Sequence, residues 1–281
     1  MCFTERFPAP PRGTNSEREE PAHPMIAMSY RGVFHVKHSM RLRRVSRETC
    51  SFPHFLSLVL SMTNRSRFLS VLSSGASVYG LTLDSTSLSF FFSYAELVSS
   101  WNTRLNLVSF RDMNRFVEYH LLDSLKISTC IDLSSCGKVM DYGSGAGLPG
   151  IPIALAFPHV EVTLVESVGK KCRFLMEASS AIPIRNVTVL HARVEELPSS
   201  LDGLYGCVVT RATVRLARFV RAASRFIGPS SSLVSIKGDH IDDELRELEK
   251  KIDSRVFHIT VAHPVPVTNV RTGSVVVISH T

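Results

Sequence analysis

The chain has 281 residues, 44% of them apolar, with a formal net charge of +7, enough for one large domain with an extension. No apolar run is long enough to cross a bilayer, FLSLVLSM at 55–62 being the best candidate, and the N-terminus lacks the pattern of a secretory signal, so a cytoplasmic protein off the membrane is expected. The six cysteines are scattered without metal-ligand spacing, which reads as reduced thiols and no metal site.

The charge excess hints at a polyanionic partner, but it is unevenly spread. Residues 1–61 hold nine Lys and Arg against five Asp and Glu, leaving 23 against 20 for the rest. Residues 1–50 carry Pro, Ser and Arg without periodicity, which predicts disorder. Within them VFHVKH (33–38) and VSRETC (45–50) can both be encoded, in different frames, by the palindrome TGTTTCACGTGAAACA, which resembles a bacterial chromosome-partition site. Residues 1–61 are therefore expected to be disordered or a mis-assigned N-terminal extension, with Met62 a candidate start.

Apolar residues returning every three or four positions predict amphipathic helices over 87–109 and 113–128, a helical cap assigned to 62–130. His120 and Asp123 lie one turn apart on the second helix and share a face. They are candidates for positioning the substrate, with a helix-stabilising pair as the plain alternative. Trp101 reads as cap core before it reads as a base-stacking group.

From 131 to 281 strands and helices alternate. Short β-rich runs at 138–143, 161–167, 187–192, 206–212 and 232–238 are separated by helix-like stretches at 149–157, 169–180, 214–227 and 242–252. That pattern predicts a mostly parallel sheet covered on both faces, with ligands at the carboxyl ends of its strands. The last two runs, 256–267 and 273–280, have no room for a crossover helix and should pair antiparallel. A doubly wound sheet ending in such a hairpin is typical of S-adenosylmethionine-dependent methyltransferases.

DYGSGAGLPG (141–150) holds two overlapping patterns, an acid followed by Gly143, Gly145 and Gly147, and a G-x-G-x-x-G from Gly145 to Gly150. Glu166, at the end of the next strand, is placed to accept both hydroxyls of an adenosine ribose, which serves NAD and S-adenosylmethionine equally. Asp141 suits a ligand with a cationic amino group and would repel a pyrophosphate. Pro149 removes one donor from the helix N-terminus that would hold phosphate. An NAD-dependent oxidoreductase stays open as the alternative.

DYGSGAGLPGIPIAL, LVESVGKKCRFL, ARVEEL, VVTRATVRLA and IKG, with WNTRLNLVS and HLLDSL upstream, resemble in order and spacing the bacterial small-subunit ribosomal RNA guanine-N7 methyltransferase family, RsmG. The resemblance covers about residues 65–281. It implies a Rossmann-like class I methyltransferase sheet with a C-terminal antiparallel hairpin and an N-terminal helical cap. It also implies S-adenosylmethionine as cofactor, and 16S rRNA or the small ribosomal subunit as partner of a monomeric enzyme. Gly143, Leu148, Val194, Glu195 and Arg211 are then expected at the cofactor. Arg271-Thr272 stands where the family has Arg followed by His or Asn.

Guanine N7 bears a lone pair and no proton, so transfer to it needs no general base, and alignment supplies most of the rate. Basic residues then belong to the RNA backbone, and Lys170, Lys171, Arg173, Lys237 and Arg271 are the candidates, Lys237 also as a positioning residue. Arg215 and Arg218 also fall near the carboxyl ends of the strands, where a phosphate track would converge, while Arg215, Arg218, Arg221 and Arg225 recur at near-helical spacing, for which the wet face of a helix is the plain alternative.

Overall fold

The computed structural model describes residues 33–34, 52–109, 115–211, 214–238, 240–267 and 273–280, with side chains from 65 onward. Among the described residues eight strands form one sheet: β1 (Val33–Phe34), β2 (Lys138–Tyr142), β3 (Glu161–Glu166), β4 (Val187–His191), β5 (Tyr205–Arg211), β6 (Ile227–Lys237), β7 (Phe257–Ala262) and β8 (Ser274–His280). Their order is β1-β4-β3-β2-β5-β6-β8-β7. The pairs among β2, β3, β4, β5 and β6 are parallel, whereas β8 runs antiparallel to both β6 and β7. This is the expected Rossmann-like methyltransferase sheet with its terminal hairpin, β8 being inserted between β6 and β7. The chain reverses direction of travel at β2, which pairs with β3 on one side and β5 on the other. Such a switch point opens a crevice at the carboxyl edge.

Alternation along β2 decides which layer each residue serves. Val139 joins a core shared with helices α1 (Phe52–Val78), α2 (Ser85–Asn102), α3 (Gly150–Ala156) and α4 (Gly169–Ala181). Met140 and Tyr142 face the opposite layer, closed by α5 (Leu216–Ala223) and α6 (Asp242–Glu249). On α5 the buried residues are Leu216, Phe219, Val220 and Ala223, one stripe at i, i+3, i+4 and i+7. Truncating Phe219 would cost about 3–5 kcal/mol.

The cap is continuous with this architecture: Leu72, Phe91, Tyr94 and Val98 belong to the same core as Ile153, Phe174 and Val209. Trp101 sits edge-on to Phe174 of α4 at 5.8 Å and donates to Glu177, the core role expected of it. The boundary expected between 61 and 62 falls inside α1, and Val33–Phe34 pairs with β4. Most of the N-terminal expectation lies outside the described residues.

Two cap helices differ from their periodicity. α2 starts earlier than expected because Asp84 caps it, accepting from Ser87 N at 2.6 Å. It stops at Asn102, short of the expected 109. The buried Asn102 side chain accepts from Leu107 N and Val108 N and donates to Val108 O. Those bonds wrap the next residues into a turn that apolar spacing does not reveal. The second helix is a π-helical turn, Val117–Leu122, running into Asp123–Leu125. β6 begins at Ile227, ahead of the expected 232, because Ile227 pairs with Tyr205 across a bulge.

Candidate active site

The loop between β2 and α3 closes over itself. Gly143, Gly145 and Gly147 all have positive φ, which costs glycine nothing and other residues strain. Gly143 N and Ser144 N bond Val165 O of β3. Glu166 clamps the loop from the side: Oε2 accepts from Gly145 N at 2.9 Å and Oε1 from Val168 N at 2.7 Å. Two acceptor positions on the carboxylate remain for ribose hydroxyls. The cap adds a strut that the sequence did not disclose, Tyr94 OH donating to Ala146 O at 2.6 Å.

Asp141 is fully buried, on the α3 side of the sheet, where Oδ2 accepts from Gly150 N at 3.0 Å. A Cβ at Gly150 would stand 2.7 Å from that oxygen and 2.3 Å from Leu164, so only glycine lets the helix start reach the acid. Burial raises the Asp141 carboxyl to about 7, with Glu166 adding to the rise and the Gly150 bond opposing it. Oδ1 is buried without a partner among the described residues, and Asp141 supports the loop from behind.

The donors that would hold a pyrophosphate are spent. Pro149 has none, Gly150 N is on Asp141, Ile151 N bonds Gly147 O and Leu148 N bonds Ser144 O. With a buried acid beneath, this helix start is no phosphate site. That observation removes the structural basis of the dinucleotide alternative.

A cleft of about 290 Å³ opens beside the loop at the carboxyl edge. Of the cofactor candidates, Gly143, Glu166, Val194 and Glu195 line it, together with Tyr142, Lys171 and Arg218. Asp141, Gly145, Gly147, Leu148 and Arg211 are outside that lining. Glu195 accepts from Arg218 at 3.2 Å and from Tyr142 OH at 3.3 Å, and its carboxyl is lowered, first by its own backbone N–H and also by these partners. An acid at the strand end, an apolar wall at Val194 and a glycine loop without free phosphate donors suit a nucleoside without a pyrophosphate, while Asp141, expected to meet a cationic tail, lies behind the loop.

Arg211, expected at the cofactor, turns away from the cleft toward the cap in this structure. Its Nε donates to Asp123 at 2.8 Å, Nη1 to His120 Nδ1 at 3.0 Å and Nη2 to Tyr119 O at 2.6 Å. Asp123 also pairs at 2.6 Å with Lys126, whose side chain is 0% exposed. Because Arg211 can only donate, the His120 proton is on Nε2, buried and without a partner among the described residues. Burial, then Arg211, pushes His120 down to about 3, so its ring is neutral. His120 and Asp123 are thus brought together, as the latch that holds the cap to the end of β5.

Lys237, expected as a positioning or RNA-binding residue, also turns into the fold. Its ammonium is nearly buried, donating to Val214 O and to Glu244 at 2.8 Å, while Glu244 accepts from Leu216 N. It ties β6 to α5 and α6 and is not presented to a polyanion. Lys170 and Arg173 are exposed on α4 and Lys171 is half-buried at the cleft. Arg271 lies outside the described residues. Among the described residues no cluster could hold a metal ion and no helix is long and apolar enough to cross a membrane.

A family model for rRNA small subunit methyltransferase G matches residues 88–266. A ribosomal RNA small subunit methyltransferase G of Polaromonas naphthalenivorans is 34% identical over 197 residues, 68% of this chain and 86% of that protein. The one from Bacteroides fragilis is 36% identical over 162 residues, 56% and 77% of the two chains. That of Stenotrophomonas maltophilia is 39% identical over 155 residues, 55% and 71%.

Proposed function

Because the chain belongs to the rRNA small subunit methyltransferase G family, we propose that it transfers a methyl group from S-adenosylmethionine to N7 of a guanine in 16S rRNA. The observation that carries this reading is Glu166 at the end of β3, fixed to Gly145 N and Val168 N and lining the cleft, beside a helix start whose donors are spent.

In this reading Glu166 accepts the ribose hydroxyls, and Val194 with the Glu195 turn forms the wall for the adenine. Bound S-adenosylmethionine supplies an electrophilic methyl group on a sulfonium centre. Guanine N7 would accept that methyl through a lone pair it already carries, leaving the purine cationic and the cofactor neutral at sulfur. No proton moves, so the residues at this edge have only to bind, orient and exclude water. The neutral, buried ring of His120 suits that chemistry, since its place in the latch gives it no access as a base. A ribosomal substrate implies work in the cytoplasm.

The test is incubation with S-adenosylmethionine labelled in its methyl group and either naked 16S rRNA or small subunits, followed by mapping of the modified base. Label at one guanine N7 is expected. No label in 16S rRNA from either substrate would refute the proposal.

A further inference from the structure

A second cleft, of about 430 Å³, lies between α5 and α6 and is lined by Val214, Arg215, Arg218, Arg221, Glu247 and Lys251. Val214 and Arg218 also line the cofactor cleft, so the two depressions meet along that pair.

The groove carries more positive charge than its partners neutralise. Glu247 alone serves two cations, Arg215 at 2.7 Å and Lys251 at 2.7 Å. Arg218 reaches out to Glu195 at 3.2 Å, and no ion pair holds Arg221 among the described residues. Side-chain exposures of 60% for Arg215, 59% for Arg218 and 60% for Lys251 make the existing pairs weak and easily exchanged for another anion. Arg215 stands at the N-cap of α5, and Arg218 and Arg221 follow within it, the last two about 4.5 Å apart along the axis at 1.5 Å per residue. Such a row suits a chain of anions better than a single one.

We propose that the α5–α6 groove is the docking surface for the phosphate backbone of the RNA flanking the target guanine, with Arg215, Arg218 and Arg221 meeting successive phosphates and Lys251 adding a further phosphate contact from the opposite wall. This rests on the reading of the site as an rRNA methyltransferase. A nucleotide whose base enters the cofactor cleft must lead its backbone away from it, and past Val214 and Arg218 the open path is lined with guanidiniums. Methylation leaves the guanine cationic, which disfavours arginine against the ring and favours it against phosphate. Arg225, the fourth of the series, does not join in. It donates to Asp202 and to Leu197 O and stacks on Phe226 at 4.3 Å.

The test compares the full chain with the Arg221→Ala/Lys251→Ala double variant. The control is Arg185→Ala/Lys138→Ala, equal in charge and at the amino-terminal edges of β4 and β2, away from the site. Equilibrium binding of 16S rRNA, naked and in small subunits, is measured over a series of salt concentrations. S-adenosylmethionine affinity by calorimetry reports that each variant is folded. Loss of two phosphate contacts should flatten the slope of log K against log salt by about 1.4 and weaken binding on the order of tenfold at physiological salt. The control should retain wild-type affinity and slope. The groove is ruled out if the double variant binds RNA as the wild type does, or loses no more than the control pair. Methyl transfer by the wild type is scored separately. A wild type that fails to label RNA sinks the functional reading, while the binding slopes still decide the groove.

Discussion

Replacing Asp123 by alanine should unfasten the cap from the sheet at a cost set by what stays buried. Among the described residues Asp123 pairs with both Lys126 at 2.6 Å and Arg211 at 2.8 Å, with side-chain exposures of 12%, 0% and 20% for Asp123, Lys126 and Arg211. Water cannot take over for a carboxylate in that setting as it would at the surface. Removing one partner of a buried pair typically costs about 3–5 kcal/mol, most of it the penalty of the uncompensated charge left inside. An exposed pair is worth about 0–1 kcal/mol, so the two cases are well separated. The assay is urea unfolding followed by circular dichroism on wild type, Asp123→Ala, Arg211→Met and the double variant. Because both singles break one network, the double should lose less than their sum, with a coupling of about 0.5–3 kcal/mol. Replacing Asp123 and Lys126 together by leucine should recover much of the loss, since a packed apolar pair can match a buried ionic one. A loss under about 1 kcal/mol for Asp123→Ala, or strict additivity with Arg211→Met, would refute the latch.

Two buried groups should oppose each other in the pH dependence of stability. His120 falls from 6.5 to about 3 on folding, so below pH 6.5 the unfolded chain binds a proton that the fold does not, and stability drops as pH falls. Asp141 rises from 3.8 to about 7, so between those values the folded chain holds the extra proton, and stability drops as pH rises. From about pH 4 to 6.5 the two slopes, each about 1.4 kcal/mol per pH unit, offset one another. Asp141→Asn should expose the His120 slope, gaining about 2 kcal/mol relative to wild type between about pH 4.5 and 6, and His120→Asn should tilt the other way. Denaturant titrations at the two pH values check this, and equal slopes in Asp141→Asn and wild type would dismiss it. At Glu166, glutamine must turn its amide nitrogen toward Gly145 N or Val168 N, both of which donate. The lost charge-assisted bond, about 1.5–3 kcal/mol, should weaken S-adenosylmethionine binding about 10- to 100-fold by calorimetry, and a change within about twofold would remove Glu166 from the site.

The sheet was legible because each strand is a β-rich run with its own turn signals, and because two strands without a crossover can pair only antiparallel. The place of Glu166 was legible for a related reason: it is last in the strand after the glycine loop, which is a position along the chain. The residues turned inward share a different dependence. Arg211 meets Asp123 88 residues upstream, and nothing in local spacing says whether a cation at a strand end faces the ligand or the cap. Lys237 is claimed by Glu244, an acid that the helix pattern marks only as exposed. Asp141 lies on the Val139 face of β2, where the missing Cβ of Gly150 lets a backbone N–H reach it, so the acid serves the loop from behind.

Exposure therefore sorts the basic residues at the carboxyl edge better than count or net charge does. Lys126, Lys237 and Arg211 are buried or nearly so and spend their donors on carboxylates and carbonyls within the fold. Arg215, Arg218, Arg221 and Lys251 are exposed, with Glu247 shared by Arg215 and Lys251 and Glu195 paired to Arg218. Since residues 62–281 exceed neutrality by only three charges, a polyanion gains little from the average field of this region. Attraction must come from the local arrangement, and the stripe whose plain reading from sequence is a solvated helix face becomes an anion track only because α6 packs beside it and the cofactor cleft opens at its end.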